Sequence, residues 1–541
     1  MTVLESTLPT LISPHNRALP LLTLTDLRIL ETQAAAALPQ HTLMSRAGKA
    51  AASYLQEQIT RDTAIEKSKH KVWVVAGPGN NGGDALIVAA ELHRAGFAVD
   101  LCMPLEVKPD DARWALDTAR AAGVAITSTP PASLESYTWL VDGMFGIGLT
   151  RPLEGVFATI ARQLSQRTKA KSRRGGVLAL DTPSGLDSDT GTVVGEKPDQ
   201  GGARSENQND GAAVHATHTI TFIGAKPGLF TAQGRDLAGT VTVAPIGIDS
   251  TTRTAVQLNA PALFADFLPP RDFATNKGTF GSLAVVGGDT GMCGAPILAS
   301  RAALYTGAGK VHVALLGDGA PPYDPPHPEL MLHAIDDLPL DKMDALAVGC
   351  GMGLRDIATR VMHDVLPLDV PKLFDADALN LISTDPSLAA QVTARGVQGD
   401  PCVLTPHPLE AARLLGTDAP GVQRNRLAAA RALAARFAAV VVLKGMGTVI
   451  AAPDGRVAIN PTGNAALATG GTGDVLGGII GALLAQHLPR YEAALAGVYL
   501  HGLAADTLSA QGHGPAGLTA GELAPMVRTL LNRMFYPATG G

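Results

Sequence analysis

Two long stretches of the chain alternate apolar runs with amphipathic segments. In the first, the apolar run KVWVVAG from Lys71 leads into a glycine turn, a helix predicted over Asp84 to Ala95 and a second apolar run, FAVDLCMP. The later runs TWLVDGM and GGVLALD each carry an acidic residue where the run gives way to a turn. This alternation predicts a parallel sheet with crossover helices, and it brings the acidic turns to the carboxyl edge where open α/β sheets bind ligands.

The second stretch begins at KGTFGSLAVVGG and continues through an alanine-rich helix and the runs DALAVGCG, PKLFDAD, CVLTPH and AAVVVLKG. These runs are almost continuously apolar, as expected for strands covered by helices on both faces. A proline-containing connector over 249–276 separates the two stretches. The fold prediction is therefore α/β, with two three-layer α/β/α domains over 20–257 and 258–537.

Composition restricts the function to work on small molecules. The 541 residues carry a net charge of −6, with 46% hydrophobic and 17% charged residues, so nucleic acid is not an expected partner. The four cysteines lack CxxC spacing, and no segment resembles a signal peptide or a membrane span. We therefore expect a cytoplasmic protein without a membrane partner. The polar segment 195–213 is predicted to be a mobile loop.

The first glycine turn, GPGNNGGD at 77–84, satisfies GxGxxG, and Asp100 follows roughly twenty residues later, which makes dinucleotide binding one interpretation. Against it, Asp100 falls inside the second apolar run. The turn also carries Asn80, Asn81 and Asp84, whose oxygens suit a hard cation, while its N–H groups suit an anion. A turn that only caps the next helix remains an alternative.

Two more acidic turns, DGMFGIGLTRP at Asp142 and DTPSGLDSDTG at Asp181, accompany NNGGD. In these three motifs the chain resembles the NAD(P)H-hydrate epimerase domain, a Rossmann-like fold. The resemblance implies that the hydrated nucleotide contacts Asn80, Asn81, Gly82, Gly83, Asp84, Gly146, Ile147, Gly148, Leu149, Thr150, Arg151, Pro152 and Asp181.

The same resemblance implies a potassium ion held by Asn81, Asp142 and Ser184, with Asp181 as the catalytic acid/base and Lys226 in a supporting role.

The chain departs from the epimerase pattern at Ala85, Ile147 and Thr182, where the family usually has glycine, threonine and isoleucine. Among these, only Ala85 is expected to crowd a tight turn.

The second glycine turn contains GTGD at 471–474. Its N–H groups can stabilise a transferring phosphoryl group while Asp474 takes a hydroxyl proton, which predicts phosphoryl transfer. A glycine-rich helix cap is the alternative. KGMGT at 444–448 can supply further donors to nucleotide phosphates. His407, just before a predicted helix, either caps that helix or binds a ligand.

Six ordered motifs of the second stretch, among them FDADALN, TPHPLEAARLL and GGTGDVLGG, resemble the ADP/ATP-dependent NAD(P)H-hydrate dehydratase of the ribokinase-like fold. The resemblance implies a nucleotide site formed by Lys444, Gly445, Met446, Gly447, Thr448 and Gly473. It implies that the hydrate contacts Ala295, Gly353, His407 and Asp474, with Asp474 catalytic. Asp377 and Asn380 are expected in the same cleft, and magnesium is expected with ADP. Leu409 and Cys350 replace a common glycine and a common proline.

These resemblances predict a fused repair enzyme that acts on NADH hydrate and NADPH hydrate. The first domain would interconvert the R and S epimers, and the second would dehydrate the S epimer with ADP, giving AMP and phosphate. A homo-oligomer is expected. The alternatives are a vitamin-type small-molecule kinase in the second domain and a non-catalytic nucleotide-binding module in the first.

Overall fold

The computed structural model describes residues 11–62, 66, 69–169, 175–196, 211–250, 254–318 and 321–536. The chain divides into two compact units. One consists of residues 1–15 and 19–256, and the other of residues 16–18 and 257–541. Most of the predicted mobile loop, residues 197–210, lies outside the described residues.

The first unit is built on a parallel sheet. Its helices are α1 (Leu24–Ala37), α2 (Thr42–Arg61), α3 (Asn80–Arg94), α4 (Asp110–Ala121), α5 (Gly155–Lys169) and α6 (Gly234–Leu237). Its strands are β1 (Lys71–Ala76), β2 (Ala98–Cys102), β3 (Ala125–Thr127), β4 (Trp139–Gly143), β5 (Gly176–Leu180), β6 (His218–Phe222) and β7 (Thr240–Ala244). The strand order is β3-β2-β1-β4-β5-β6-β7, and each neighbouring pair is parallel.

The strand order reverses between β1 and β4, so the loops that follow these strands leave in opposite directions and open a crevice at the carboxyl edge. The loop after β1 is shorter than the sequence predicted. Helix α3 begins at Asn80 and not at Asp84, because the Gly83 N–H already donates to the Gly79 carbonyl at 3.3 Å. The NNGGD motif therefore forms the first turn of a helix.

The second unit contains a ten-stranded sheet. Its strands are β8 (Val256–Leu258, starting at the boundary), β9 (Ser282–Gly287), β10 (Lys310–Leu315), β11 (Met331–Ala334), β12 (Ala345–Val348), β13 (Lys372–Phe374), β14 (Val403–Leu404), β15 (Val440–Leu443), β16 (Val449–Ala451) and β17 (Val457–Ile459). Its helices are α7 (Gly294–Thr306), α8 (Asp356–Val365), α9 (Asp377–Thr384), α10 (Pro386–Val397), α11 (Pro408–Leu415), α12 (Ala419–Arg424), α13 (Arg426–Phe437), α14 (Thr472–Ala485), α15 (Arg490–Ala510) and α16 (Ala520–Phe535).

This sheet is parallel from β11 to β15, continues with the antiparallel pairs β15–β16 and β16–β17, and has β8 as its last strand. Its order, β11-β10-β9-β12-β13-β14-β15-β16-β17-β8, reverses between β9 and β12. Helices α14 and α15 are buried along most of their length because their sequences are apolar or small on all sides. The α/β prediction is confirmed in both units.

Candidate active sites

A cavity of about 690 Å³ lies in the first unit, at the carboxyl edge of its sheet. The turn after β1, the loop after β4 and Asp181 after β5 line it, as the sequence predicted for ligands at a point of strand-order reversal. Its volume is within the range of small-molecule and cofactor sites.

Asp181 is held by an ion pair at the floor of this cavity. The Nζ of Lys226 lies 2.5 Å from Asp181 Oδ1, and it also donates to the Thr221 hydroxyl at 2.6 Å and the Phe222 carbonyl at 2.8 Å. Lys226 is only 1% exposed. Asp181 itself has φ of +65°, a left-handed conformation that is unfavourable for a residue with a side chain. Asp181 therefore lines the cavity in a backbone conformation that costs free energy, and the surrounding structure has to stabilise it.

The three residues predicted to bind potassium fall into two groups. Asp142 and Ser184 are fully buried and bonded together: Ser184 Oγ donates to Asp142 Oδ1 at 2.6 Å, and the Ser184 N–H donates to Oδ2 at 2.8 Å. Burial raises the pKa of Asp142 to about 6, against the effect of these hydrogen bonds. Asn81 is 8% exposed, and neither polar atom of its side chain has a hydrogen-bond partner in the described structure.

A bound cation would account for both the buried carboxylate of Asp142 and the unpartnered side-chain oxygen of Asn81. Its charge would favour the ionised form of Asp142, and it would give the side-chain oxygen of Asn81 a partner. An unpartnered amide oxygen, a buried carboxylate and a hydroxyl form a hard-donor set. The residues present therefore fit the ion that the resemblance implies. No group of three or more His, Cys, Asp or Glu side chains within the described ranges is arranged to hold a metal.

The cavity contains a second carboxyl group of the predicted set. Burial raises the pKa of Asp84 well above its usual range, and the nearby Asp181 and Glu31 raise it further. The loop after β4 comes close to Asp181, because a Cβ placed on Gly146 would lie 3.1 Å from Asp181 Oδ2 and 3.4 Å from Asn81 Cγ. Three sequence motifs thus meet within a few ångströms.

Most, but not all, of the predicted epimerase residues line the cavity. Those that do are Asn80, Asn81, Asp84, Gly146, Ile147, Gly148, Leu149, Thr150, Arg151 and Asp181. Gly82 and Gly83 are buried in the first turn of α3, and Pro152 packs near Gly195, so these three are not among the lining residues.

Asp100 does not line the cavity either. It accepts from Tyr137 Oη and pairs with Lys71, both at 2.7 Å, which removes the ribose-binding carboxylate that a dinucleotide site would use.

Ala85 does not crowd the turn, contrary to the sequence-based expectation. A Cβ on Gly143 would overlap the Ala85 side chain, so the bare backbone of Gly143 at the end of β4 supplies the room for it. Ala85 is fully buried in that space.

The glycine turn after β1 gives a stability prediction with an internal control. A Cβ on Gly77 would overlap the backbone carbonyl of Met144, whereas a Cβ on Gly79 meets nothing within 4 Å. We expect Gly77→Ala to lower the free energy of unfolding by about 3 kcal/mol. Gly79→Ala should leave it nearly unchanged. Denaturant unfolding of both variants tests this, and equal losses would contradict the close approach.

Residues from α1 and α2 complete the cavity wall, and sequence reasoning missed them. The cavity is lined on this side by Leu27, Arg28, Glu31, Thr32, Ala35, Leu43, Met44 and Ala47. The sequence signal for α1 is the capping box formed by Thr23 and Asp26. In the structure, Thr23 Oγ1 accepts from the Asp26 N–H, and Asp26 Oδ2 accepts from the Thr23 N–H. That signal predicts a helix, but it does not say what the helix faces.

The second unit brings its predicted motifs together around a partly buried ion pair. Lys444 Nζ lies 2.6 Å from Asp375 Oδ1, at the carboxyl ends of β15 and β13. A Cβ on Gly473 would lie 3.5 Å from Lys444 Nζ and 3.9 Å from Asp375 Oδ2, so the GTGD turn faces this pair. Burial alone would lower the pKa of Lys444, but Asp375 and Glu410 outweigh it and raise that pKa. The lysine is therefore a fixed cation beside the turn.

Asp474 follows Gly473 in the first turn of α14. Burial raises its pKa, a hydrogen bond from the Cys350 thiol opposes this, and the nearby Asp375 adds to the increase. A carboxylate with a raised pKa is a better proton acceptor at neutral pH. Cys350, at the position where the family usually has proline, thus contacts the predicted catalytic residue.

His407 caps α11, as one of the two interpretations proposed. Its Nδ1 accepts from the N–H groups of Leu409 and Glu410 at 3.1 and 3.4 Å, so the remaining proton of the neutral ring is on Nε2. Glu410 closes the capping box by accepting from the His407 N–H at 2.8 Å, and its Oε1 lies 3.3 Å from His407 Nε2. Burial lowers the pKa of His407, and the positive charge of Lys444 lowers it further. The cap does not exclude ligand binding, because nearly half of the side chain remains exposed.

The DADALN motif contributes a strained turn. Ala376 has φ of +50°, and the residue after it, Asp377, accepts from the Gly353 N–H at 2.8 Å. The motif thereby links the loop after β13 to the loop after β12. The side-chain oxygen of Asn380 accepts from Arg413 at 2.7 Å. Ala295 lies beside the same loop, 3.3 Å from where a Cβ on Gly351 would be.

Glu410 gives a pH prediction. Burial raises its pKa from 4.5 to about 7, so the folded chain holds this proton more tightly than the unfolded chain. The free energy of unfolding should therefore decrease as the pH rises from 4.5 to about 7. In Glu410→Gln, which keeps an acceptor for the His407 N–H, this part of the decrease should be absent. Denaturant unfolding across that pH range tests it, with the exposed Glu329→Gln as control. Parallel curves for wild type and Glu410→Gln would contradict it.

Within the part of the chain that the structure describes, no helix combines the length and apolarity that crossing a membrane requires.

Two known families match the chain. The family described as YjeF-related protein N-terminus matches residues 40–228, and the family described as NAD(P)H-hydrate dehydratase matches residues 283–527. The matched ranges contain the loops that line the cavity of the first unit and the ion pair of the second, respectively.

Several named relatives match either the whole chain or its second half. A protein of Escherichia coli, named bifunctional NAD(P)H-hydrate repair enzyme Nnr, is 36% identical over 94% of this chain and 93% of its own length. The ADP-dependent (S)-NAD(P)H-hydrate dehydratase of Neisseria meningitidis is 50% identical over 48% of this chain and 88% of its own. A solved structure of the Bacillus subtilis ADP/ATP-dependent NAD(P)H-hydrate dehydratase, co-crystallised with ATP and Mg²⁺, aligns with 51% of this chain and 98% of its own at 33% identity and a TM-score of 0.46.

Proposed function

Because this chain belongs to the family of bifunctional NAD(P)H-hydrate repair enzymes, we propose that it repairs hydrated NADH and NADPH with two active sites. The first unit epimerises the R and S hydrates, and the second dehydrates the S epimer at the expense of ADP. One observation carries this proposal: each sheet edge holds its own pair of a lysine with a buried aspartate, Lys226 with Asp181 and Lys444 with Asp375, in the middle of the loops that the sequence motifs form.

In the first unit, the cavity would hold the hydrated nicotinamide nucleotide. The N–H groups at the start of α3 are suited to its phosphates, because they are the unpaired donors of a helix N-terminus. Asp181 would exchange a proton with the reacting ring, and Lys226 would fix the position of that carboxylate. Asn81, Asp142 and Ser184 would hold potassium, which would supply a positive charge to the site.

In the second unit, Asp474 would take the proton of the ring hydroxyl while the terminal phosphoryl group of ADP moves to the hydroxyl oxygen. The charge that develops on that phosphoryl group would be stabilised by Lys444 and by the N–H groups of the GTGD turn. Phosphate then leaves with the former hydroxyl oxygen, and the ring loses a proton to regain its double bond. The products are AMP, phosphate and NADH or NADPH.

The nucleotide site would consist of residues 444–448 and Gly473. The hydrate would contact Ala295, Gly353 and His407. Magnesium would neutralise charge on the phosphates. Asp375, whose carboxylate lies beside the GTGD turn, is a suitable partner for it.

The test follows the absorbance of the reduced nicotinamide ring while the purified protein acts on mixed R and S NADH hydrate with potassium and magnesium, adding ADP or ATP in turn. Complete conversion of both epimers with ADP is expected. Conversion of the S fraction alone, beyond spontaneous epimerisation, would make the first unit a non-catalytic binding module. Net formation of a stable phosphorylated alcohol, without release of phosphate, would identify a small-molecule kinase.

We also propose that the enzyme works in the cytoplasm. The four cysteines are free thiols, which agrees with a reducing compartment. The proposed homo-oligomer can be tested by light scattering of the purified protein.

A further inference from the structure

Helix α1 presents two charged residues to the cavity of the first unit, Arg28 and Glu31, and of the two only Glu31 can give up and take back a proton near neutral pH. Leu27, Glu31 and Ala35 are spaced four residues apart, so they share one face of the helix, and all three line the cavity. The start of α1 is fixed by its capping box and by the Leu24 N–H, which donates to Asp189 Oδ1 at 2.8 Å. Glu31 is therefore held at the cavity wall by an anchored helix.

Glu31 and the proposed acid/base, Asp181, line the same cavity. Burial raises the pKa of Glu31, the negative charge of Asp181 raises it further, and Lys226 and Arg28 act in the opposite direction. Other charged or titratable groups that line the same cavity are Asp84, Asp111 and Arg151. Glu31 thus retains its proton to a higher pH than an exposed glutamate, while Asp181 is ion-paired to Lys226.

The chemistry of epimerisation calls for two proton carriers. The stereocentre carries the hydroxyl, so inversion through loss of that hydroxyl requires an acid to protonate it and a base to accept a proton from the water that adds to the other face. A single carboxylate already fixed by a lysine does not readily serve both faces of a ring. A protonated carboxylic acid on a different structural element of the cavity lining supplies the missing function.

We propose that Glu31 is a second catalytic residue of the epimerase site and acts with Asp181 on the hydroxyl of the hydrate. In one direction the C–O bond breaks, its electron pair stays on oxygen, Glu31 gives that oxygen a proton, and water leaves. The lone pair of the ring nitrogen forms a C=N bond. Water then adds from the opposite face, its proton passes to Asp181, and the C=N electrons return to nitrogen. For the opposite epimer the two carboxyl groups exchange roles, and proton exchange with solvent resets them.

This inference rests on the proposed epimerase function, and the test separates the two. Full-length protein with ADP, magnesium and potassium is given R hydrate, and the enzyme-dependent conversion is measured across pH. Glu31→Gln should reduce kcat for the R hydrate by roughly 10²-fold. It should also remove the fall in rate at high pH that marks deprotonation of the acid. The rate with S hydrate, which needs only the second unit, should not change.

Two further variants complete the design. The exposed Glu57→Gln on α2 should retain both activities. Glu31→Asp, which keeps a titrating carboxyl, should keep the fall in rate at high pH with a lower kcat, and it serves if Glu31→Gln is poorly folded.

Normal conversion of R hydrate by Glu31→Gln, or a uniform loss that leaves the pH profile unchanged, would overturn the role of Glu31. A Glu31→Asp variant without the high-pH fall would do the same. If the unaltered protein converts R hydrate no faster than the spontaneous reaction, the proposed epimerase function itself is wrong.

Discussion

Asp474→Asn is expected to lower kcat for ADP-dependent dehydration of the S hydrate by about 10²- to 10⁴-fold. The amide has nearly the same shape as the carboxylate but cannot accept the hydroxyl proton. The N–H groups of the GTGD turn and Lys444 would still bind the nucleotide phosphates. KM for ADP should therefore change little, and the loss should appear in kcat. Steady-state kinetics with purified S hydrate measure both quantities.

The matched control is Asp454→Asn, which removes an exposed carboxylate from the same unit, between β16 and β17. It should retain wild-type dehydration. Epimerisation of the R hydrate, followed separately by adding an active dehydratase, should be normal in both variants. If Asp474→Asn dehydrates the S hydrate at the wild-type rate, Asp474 is not the proton acceptor.

Asp181→Asn is expected to lower the enzyme-dependent conversion of R hydrate by about 10²- to 10⁴-fold and to leave dehydration of the S hydrate intact. The substitution removes the proton carrier and also the partner of the buried Lys226, whose Nζ keeps its bonds to Thr221 and Phe222. A buried lysine that loses its counter-ion is costly. The variant should therefore unfold at a lower denaturant concentration as well.

Two controls separate catalysis from stability. Asp100→Asn also removes a carboxylate from the first unit, but one that does not line the cavity, and it should retain epimerisation. Lys226→Met also breaks the ion pair but keeps the carboxylate of Asp181, so it measures how much of the lost stability comes from the broken pair. An Asp181→Asn protein that is folded and converts R hydrate at the wild-type rate would contradict the assignment of Asp181.

The hydrophobic pattern of the sequence predicted four strands of the first unit that the structure contains. The strands predicted at KVWVVAG, FAVDLCMP, TWLVDGM and GGVLALD are confirmed as β1, β2, β4 and β5, because most of their residues are apolar and buried. Strands β3, β6 and β7 were not predicted. For β3 its half-exposed residues explain why, since an edge strand lacks a continuous apolar pattern. The start of α3 was placed four residues late because its first turn consists of asparagine and glycine, which are typical of turns.

The amino-acid sequence by itself determined the α/β class, the alternation of strands and helices, and which motifs carry carboxylates at strand ends. These are local properties, since periodicity and turn chemistry depend on neighbouring residues. Only the tertiary structure decided that Lys226 and Lys444 each neutralise a buried aspartate and that Glu31 reaches the cavity. It also decided that Asp100 is engaged with Lys71 and Tyr137. Each of these contacts joins residues far apart in the chain, and their partners depend on how the elements pack, which no local pattern specifies.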